Sequence, residues 1–299
     1  MIRYIATALL FVVVPEALHA EPGDLQPATY DQLDVPQSIE QVHFEKRPTG
    51  TGDRVDQVMR VALALESTVR KGDQVLDTNS RHMERIQQRA MIAEEVVDGH
   101  AVAARVRFLK SERVTDGAEP DVHPITGKTY LCRRERDEPL VITREDGSIP
   151  GPEEFTIVSE SMDALGKPNL LADFFADRTV SVGEIIELPE EIGEGLLGSS
   201  DRLGKVSRFA LTLAELTQRD GARVARFAVD IKSRGDQNAQ MQLVVTGTID
   251  LEVETCRTLG LEFTGPLAMT TSFGSYSQTQ TTQVSGKLSM KMSAAYDDR

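Results

Sequence analysis

Met241–Val253, with the sequence MQLVVTGTIDLEV, decides the fold class of this chain. Every odd position of this stretch holds an apolar residue or glycine, and the positions between them are mostly polar. Because successive side chains of a strand point to opposite faces, the pattern predicts one long strand with a buried face and a solvated face.

Weaker alternation of the same kind occurs in Val61–Leu65 and Val102–Phe108. Two Asp-Gly pairs, Asp98-Gly99 and Asp220-Gly221, separate runs of this type, and the dipeptide is typical of tight hairpin turns. Met83–Val97 has the composition of a helix, but the turn that follows it favours a strand, and we interpret it as a strand. The sequence therefore predicts long antiparallel hairpins.

One segment has helical spacing instead. Proline and two acids at 152–154 suit the first turn of a helix, where a missing N–H and negative charge are both favourable. The apolar stripe that follows consists of Phe155, Val158, Met162 and Leu165. A second short helical turn is expected in Asn169–Phe175.

These elements predict an α+β fold with a mainly antiparallel sheet, curved or shaped as a half-barrel, and one or two helices packed on its apolar face. The chain divides into a signal peptide (1–20), a flexible leader (21–39), a β-rich half (40–148), a helical connector (149–178) and a second β-rich half (179–299). The two halves do not align convincingly, so a duplication stays one alternative.

The first twenty residues have the parts of a secretory signal peptide. Arg3 supplies the positive region, Ile5–Val14 the apolar core, and Ala17–Ala20 a small-residue cleavage site near Ala20. A core of about ten residues is too short to cross a membrane, which needs about 20. We therefore expect a soluble exported chain, periplasmic or extracellular, with no transmembrane segment after cleavage.

The net charge of the chain is −14. An acidic protein repels phosphate backbones, so we expect no nucleic-acid partner. High net charge also keeps an exported protein soluble, which is the simpler explanation of this composition.

Cys132 and Cys256 are the two cysteines of the chain. In an oxidising compartment they could form a disulfide, and closing so long a loop would contribute about 4 kcal/mol. The alternative is two unpaired thiols, and the sequence does not decide between them because it does not give the distance between the two Cα atoms.

We find no catalytic, cofactor or metal motif. The histidines lack metal-ligand spacing, and the serines lack the surroundings of a nucleophile. Gly193–Gly198 matches a dinucleotide fingerprint literally, but the acids before it would repel a pyrophosphate, and we interpret it as a flexible acidic loop. The sequence thus predicts no catalytic residues and no cofactor.

Three short motifs accompany the signal peptide: Gly127–Tyr130 opens a strand, Val180–Glu184 follows the helical connector, and Val245–Ile249 lies in a long hairpin. In these features the chain resembles uncharacterised exported bacterial β-rich proteins, to which no function is assigned. At fold level the layout is also similar to the half-open barrels of periplasmic lipoprotein carriers, in which a curved sheet wraps helices. Such an analogy does not imply function.

The leading hypothesis is an exported, non-enzymatic protein that binds a lipid-like apolar ligand or a cell-envelope partner within or beside the curved sheet. The candidate lining residues are Phe155, Leu170, Leu171, Phe174 and Phe175. One alternative is a structural envelope or surface protein with a fully packed core; another is a hydrolase with dispersed catalytic residues. An open cavity above roughly 300 Å³ would favour the ligand binder over the structural protein.

Overall fold

The computed structural model describes residues 40–135, 138–197, 205–234, 240–273 and 280–297. The predicted signal peptide and leader, residues 1–39, lie outside the described residues. Cleavage and export therefore stay predictions.

Fourteen strands and three helices are seen in the described ranges. The strands are β1 (Gln41–His43), β2 (Arg54–Lys71), β3 (Gln74–Val97), β4 (His100–Thr115), β5 (Asp121–Val122), β6 (Thr129–Arg133), β7 (Val141–Arg144), β8 (Thr179–Ser181), β9 (Ile185–Glu187), β10 (Lys205–Arg219), β11 (Ala222–Arg234), β12 (Gln240–Glu252), β13 (Thr258–Phe273) and β14 (Gln280–Asp297). The helices are α1 (Pro152–Ser161), α2 (Leu170–Phe175) and α3 (Glu190–Leu197).

One large antiparallel sheet contains two meanders joined edge to edge. Its order is β7-β6-β4-β3-β2-β14-β13-β12-β11-β10-β9, with β5 paired to β4 beside this path. The meanders meet where β14 pairs with β2, for example Ala294 with Gln57 and Asp297 with Arg54. Strands β1 and β8 form a separate two-stranded sheet. Among the described residues the large sheet is open, because β7 and β9 each have one neighbour.

The predicted hairpins are confirmed. Asp98 and Gly99 have φ of 51° and 77°, and Asp220 and Gly221 have φ of 50° and 88°. Positive φ at both central residues is what a two-residue turn between right-twisted strands requires, and Asp-Gly tolerates it. The strand interpretation of Met83–Val97 is also confirmed, since it lies within β3.

The fold class needs a correction. The described chain is 64% strand and 9% helix, so it is predominantly β rather than α+β. The mainly antiparallel sheet is as expected. The segment 193–197, expected to be a flexible loop, lies within α3.

The sheet has one core face, on which two hydrophobic clusters lie. The first cluster joins β2 and β9–β14 to α2, β1 and β8. Its centre is filled by Phe44, Phe175 and Phe227, whose ring centroids are 5.0 to 6.0 Å apart. The second cluster lies between β4, β6, β7 and α1 and includes Phe108 and Val158.

The two cysteines are free and buried. Cys132 belongs to the second cluster and Cys256 to the first. Burial raises the pKa of the Cys132 thiol to about 12 and that of the Cys256 thiol to about 11. The disulfide considered from the sequence is not formed in this structure, which has the two unpaired thiols of the alternative.

Three glycines allow neighbouring strands to approach closely on the core face. Gly247, Gly265 and Gly286 lie opposite Phe263, Leu288 and Leu267 respectively, all of which are core residues. A Cβ on Gly247 would lie 1.9 Å from the Glu262 carbonyl oxygen, one on Gly265 1.9 Å from the Val244 oxygen, and one on Gly286 2.3 Å from the Ala64 oxygen. Adjacent strands approach so closely only where a sheet folds, and glycine permits it.

Candidate functional site: a groove at the open end of the core face

Strand register brings residues of β2, β3 and β4 into rows on the core face. Leu63 lies opposite Met83, which lies opposite Thr115. In the next row toward the β2–β3 hairpin tip, Leu65 lies opposite Arg81. Directly paired residues of an antiparallel sheet share a face, so these side chains meet on one surface.

The rows enclose an open groove with a volume of about 320 Å³. Its lining residues are Leu63, Leu65, Arg81, Met83, Arg113 and Thr115. We refer to this set as the end groove.

The floor of the end groove is apolar. Leu63 is buried in the first cluster, and Leu65 and Met83 are half-buried and pack against it. Leu65 also packs with Met269 on the buried Val284 of β14. The floor therefore packs against the first cluster on one side and is open to solvent on the other.

The rim of the end groove is cationic. Arg81 is exposed, and Arg113 donates to Asp121 at 2.6 Å, both partners being about half exposed. In the neighbouring row Arg85 lies directly opposite Arg113, and its guanidinium is 3.9 Å from the Glu160 carboxylate of α1. Like charges placed opposite each other across two strands are destabilising, and here the carboxylates of Glu160 and Asp121 offset the repulsion.

A buried histidine lies among the same charged groups. His123 lies beside Ser111, with 2.8 Å between the serine Oγ and the histidine Nδ1. Burial lowers the pKa of His123, and the charges of Arg85 and Arg113 lower it further against the opposing effect of Asp121. The neutral form of His123 is therefore favoured.

A buried polar network lies next to the groove and fixes α1 across the sheet. Arg89 donates to the Gln57 side-chain oxygen at 3.0 and 2.7 Å and also to the Ser161 carbonyl oxygen. Gln87 donates to the Ser161 hydroxyl at 3.2 Å. These groups satisfy one another, so we assign them a structural role between the two clusters.

Of the five lining residues predicted from the sequence, Leu171, Phe174 and Phe175 come together in or against the first cluster, where the Phe174 and Phe175 ring centroids are 5.4 Å apart. Phe155 is 41% exposed on α1, while Leu171 and Phe175 are buried in the first cluster. Leu170 and Phe174 are partly exposed, and Phe174 carries the Arg178 guanidinium 4.0 Å above its ring. None of the five lines the end groove, and α2 serves as core.

A larger concavity of about 510 Å³ lies on the opposite face of the sheet and contains Arg54, Arg105 and Arg107. Two of these arginines already bind carboxylates. Arg54 is 2.9 Å from Asp56, and Arg105 is 2.7 Å from Glu94 and 3.2 Å from Glu145. In the end groove, by comparison, Arg113 is paired with Asp121 and Arg81 makes no ion pair with a described residue.

No group of His, Cys, Asp or Glu in the described ranges is arranged to hold a metal ion. No helix in the described part of the chain has both the length and the apolar character to cross a membrane.

Comparison with known proteins gives no family. No family model matches the chain, and no curated protein has a matching sequence. A structure of lipid–protein interactions in lipovitellin is 11% identical over 81% of this chain, with a TM-score of 0.33, and this chain spans 25% of that one. The translocator domain of the autotransporter NalP from Neisseria meningitidis is 11% identical over 81% of this chain and 88% of its own, with a TM-score of 0.12. At these TM-scores neither likeness bears on function.

Proposed function

We propose that this chain is an exported, non-enzymatic protein that binds the apolar part of a lipid-like ligand in the end groove. The observation that supports it is the solvent-open apolar floor of Leu63, Leu65 and Met83 at an end of the core face that no helix among the described residues covers. A volume of about 320 Å³ lies at the lower end of the range of ligand sites.

The ligand would bind beside the core and not within it. Phe44, Phe175 and Phe227 are fully buried against each other, so the centre of the first cluster has no room for a guest. The floor of the end groove is held by that packed cluster, which keeps the site formed without a ligand. A preformed site loses little conformational entropy on binding.

A neutral fluorescent probe, N-phenyl-1-naphthylamine, tests this function. We expect saturable binding to the wild-type protein, and Leu65→Gln should weaken it by about tenfold because the probe loses apolar contact there. The matched control is Leu109→Gln, which changes an exposed leucine on the opposite face of the sheet.

The control should bind the probe as the wild-type protein does. Absence of saturable binding to the wild-type protein would exclude the function and favour a purely structural protein. Equal weakening by both variants would place the probe elsewhere and contradict the assignment of the site.

A further inference from the structure

We infer that the ligand of the end groove is a single-chain amphiphile with an acidic head, which Arg81 and Arg113 bind while its chain lies on Leu63, Leu65 and Met83. This inference rests on the proposed function and adds the chemical class of the ligand. It is carried by the juxtaposition of an apolar floor and a cationic rim in one groove.

The charge around the rim is the first argument. The protein as a whole carries −14, yet the rows beside the groove place Arg81, Arg85 and Arg113 on one surface. The Arg81 side chain makes no ion pair with a described residue, and Arg113 has an exposed pair with Asp121. Exposed pairs of this kind contribute about 0–1 kcal/mol, so a ligand can displace Asp121 at little cost.

Guanidinium chemistry is the second argument. Arginine presents a planar fork of donors that matches carboxylate and phosphate oxygens, and charge-assisted bonds of this type are stronger than neutral ones. An anion at the rim would meet in Arg81 a guanidinium that no described carboxylate pairs with, and in Arg113 one whose ion pair is exposed. A neutral or cationic head would gain neither effect.

The position of the floor is the third argument. Leu65 is paired with Arg81, and Met83 is two residues from Arg81 on the same strand and face. A head held by the arginines therefore continues directly onto apolar side chains. A free inorganic anion would leave this floor exposed to water, and a ligand with two or more long chains would exceed a groove of about 320 Å³.

Three ligands with the same chain length separate the contributions of head and chain. Decanoate, 1-decanol and decyltrimethylammonium are each used below the concentration at which they aggregate to displace N-phenyl-1-naphthylamine from the full mature protein. We expect decanoate to bind about tenfold more tightly than decanol, as charged hydrogen bonds imply, and the cation to bind most weakly. The preference should shrink as salt is added, because the rim is exposed.

Two variants assign the preference to the rim. In Arg81→Gln combined with Arg113→Gln, decanoate should bind no more tightly than decanol, whereas the control Arg107→Gln on the opposite face keeps the preference. Asp121→Asn removes the carboxylate that competes for Arg113 and should tighten decanoate binding several-fold without changing decanol binding. This gain is measurable even if the double variant fails to fold.

The outcomes distinguish this inference from the proposed function. Equal binding of decanoate and decanol to the wild-type protein would overturn the acidic head and leave the apolar site standing. A preference for decanoate that Asp121→Asn leaves unchanged would also overturn it. Failure of all three ligands to displace the probe would overturn both.

Discussion

Glu154 is the residue that fastens α1 to the edge of the sheet. Its buried carboxylate accepts hydrogen bonds from Arg144 at 3.0 and 2.8 Å and from Lys128. Burial alone would raise the pKa of this carboxyl, but the bonds from Lys128 and Arg144 outweigh it, and the net pKa lies below its ordinary value. The charged form therefore stabilises the fold.

The variant Glu154→Gln should lower the free energy of unfolding by about 1–2 kcal/mol at pH 7, since one carboxylate oxygen becomes an NH2 group that cannot accept a hydrogen bond and the other oxygen loses its charge. The pKa of the Glu154 carboxyl is lower in the folded protein than in the unfolded chain, where it is about 4.3. The stabilisation by the charged carboxylate is therefore complete above the unfolded pKa, and it is lost as the pH falls through the folded pKa. The difference between variant and wild type should therefore shrink under acid conditions. Urea unfolding at neutral and acid pH measures it.

The neighbouring Glu153→Gln is the matched control for this prediction. Glu153 is exposed in the same first turn, so its substitution should change stability by no more than about 0.5 kcal/mol. A Glu154→Gln effect of the same size at both pH values would contradict the role of the charge.

At the level of single residues, the sequence predicts strands but not which residues face each other across them. The alternation of Val61, Leu63 and Leu65 predicts a strand, and β2 confirms it. Nothing local indicates that Leu65 faces Arg81 or that Arg85 faces Arg113, because those pairs depend on strand register. The end groove could not be predicted without that register.

Among the elements, the three glycines of β12–β14 allow neighbouring strands to approach closely. In the sequence Gly247 reads as one more position of an alternating strand. Glycine is required at this position for a steric reason that the local sequence does not show, because the atom that leaves no room for a side chain is the carbonyl oxygen of Glu262 in the next strand.

The variant Gly265→Ala should therefore be strongly destabilised, by about 3 kcal/mol or more, because a backbone carbonyl cannot move aside as a side chain can. Gly260→Ala, on the same strand, is the control. Its Cβ would meet its nearest atom, the Met292 oxygen, at 3.5 Å, and alanine there should be neutral or stabilising by up to about 1 kcal/mol. Thermal unfolding of both variants measures the difference in stability. Similar midpoints would contradict the steric role of Gly265.

For the helices, the sequence predicts the position of α1 but not which of its faces is buried. The stripe Phe155, Val158, Met162 and Leu165 predicts a helix, and α1 confirms it as far as Ser161; Met162 and Leu165 lie in the turns that follow. Of the four residues, all but Phe155 are buried. Phe155 is exposed because the helix buries a different face from the one that the stripe predicts. The buried face also includes Glu154, Ile157 and Ser161, and its centre therefore lies roughly a quarter turn away from the centre of the predicted stripe. A polar residue such as Glu154 is buried here only because Lys128 and Arg144 lie opposite it, and helical spacing gives no sign of that.

At the scale of the whole molecule, two meanders form one sheet through the pairing of β14 with β2. Val55 and Tyr296, at opposite ends of the folded chain, are direct partners. Local patterns predict each hairpin but not this junction, which brings the first cluster onto β2 and gives the end groove its floor. The site thus belongs to the assembled sheet and not to a single motif.

Photolabelling shows where a lipid-like chain binds, and so tests binding in the end groove. A decanoate that carries a diazirine on its chain is activated on the mature protein, and the modified peptides are identified by mass spectrometry. We predict labels on residues of the groove floor, chiefly Leu65 and Met83, that unlabelled decanoate removes. Labels spread over exposed apolar residues such as Leu109 and Val141, or labels that competitor does not remove, would contradict the account.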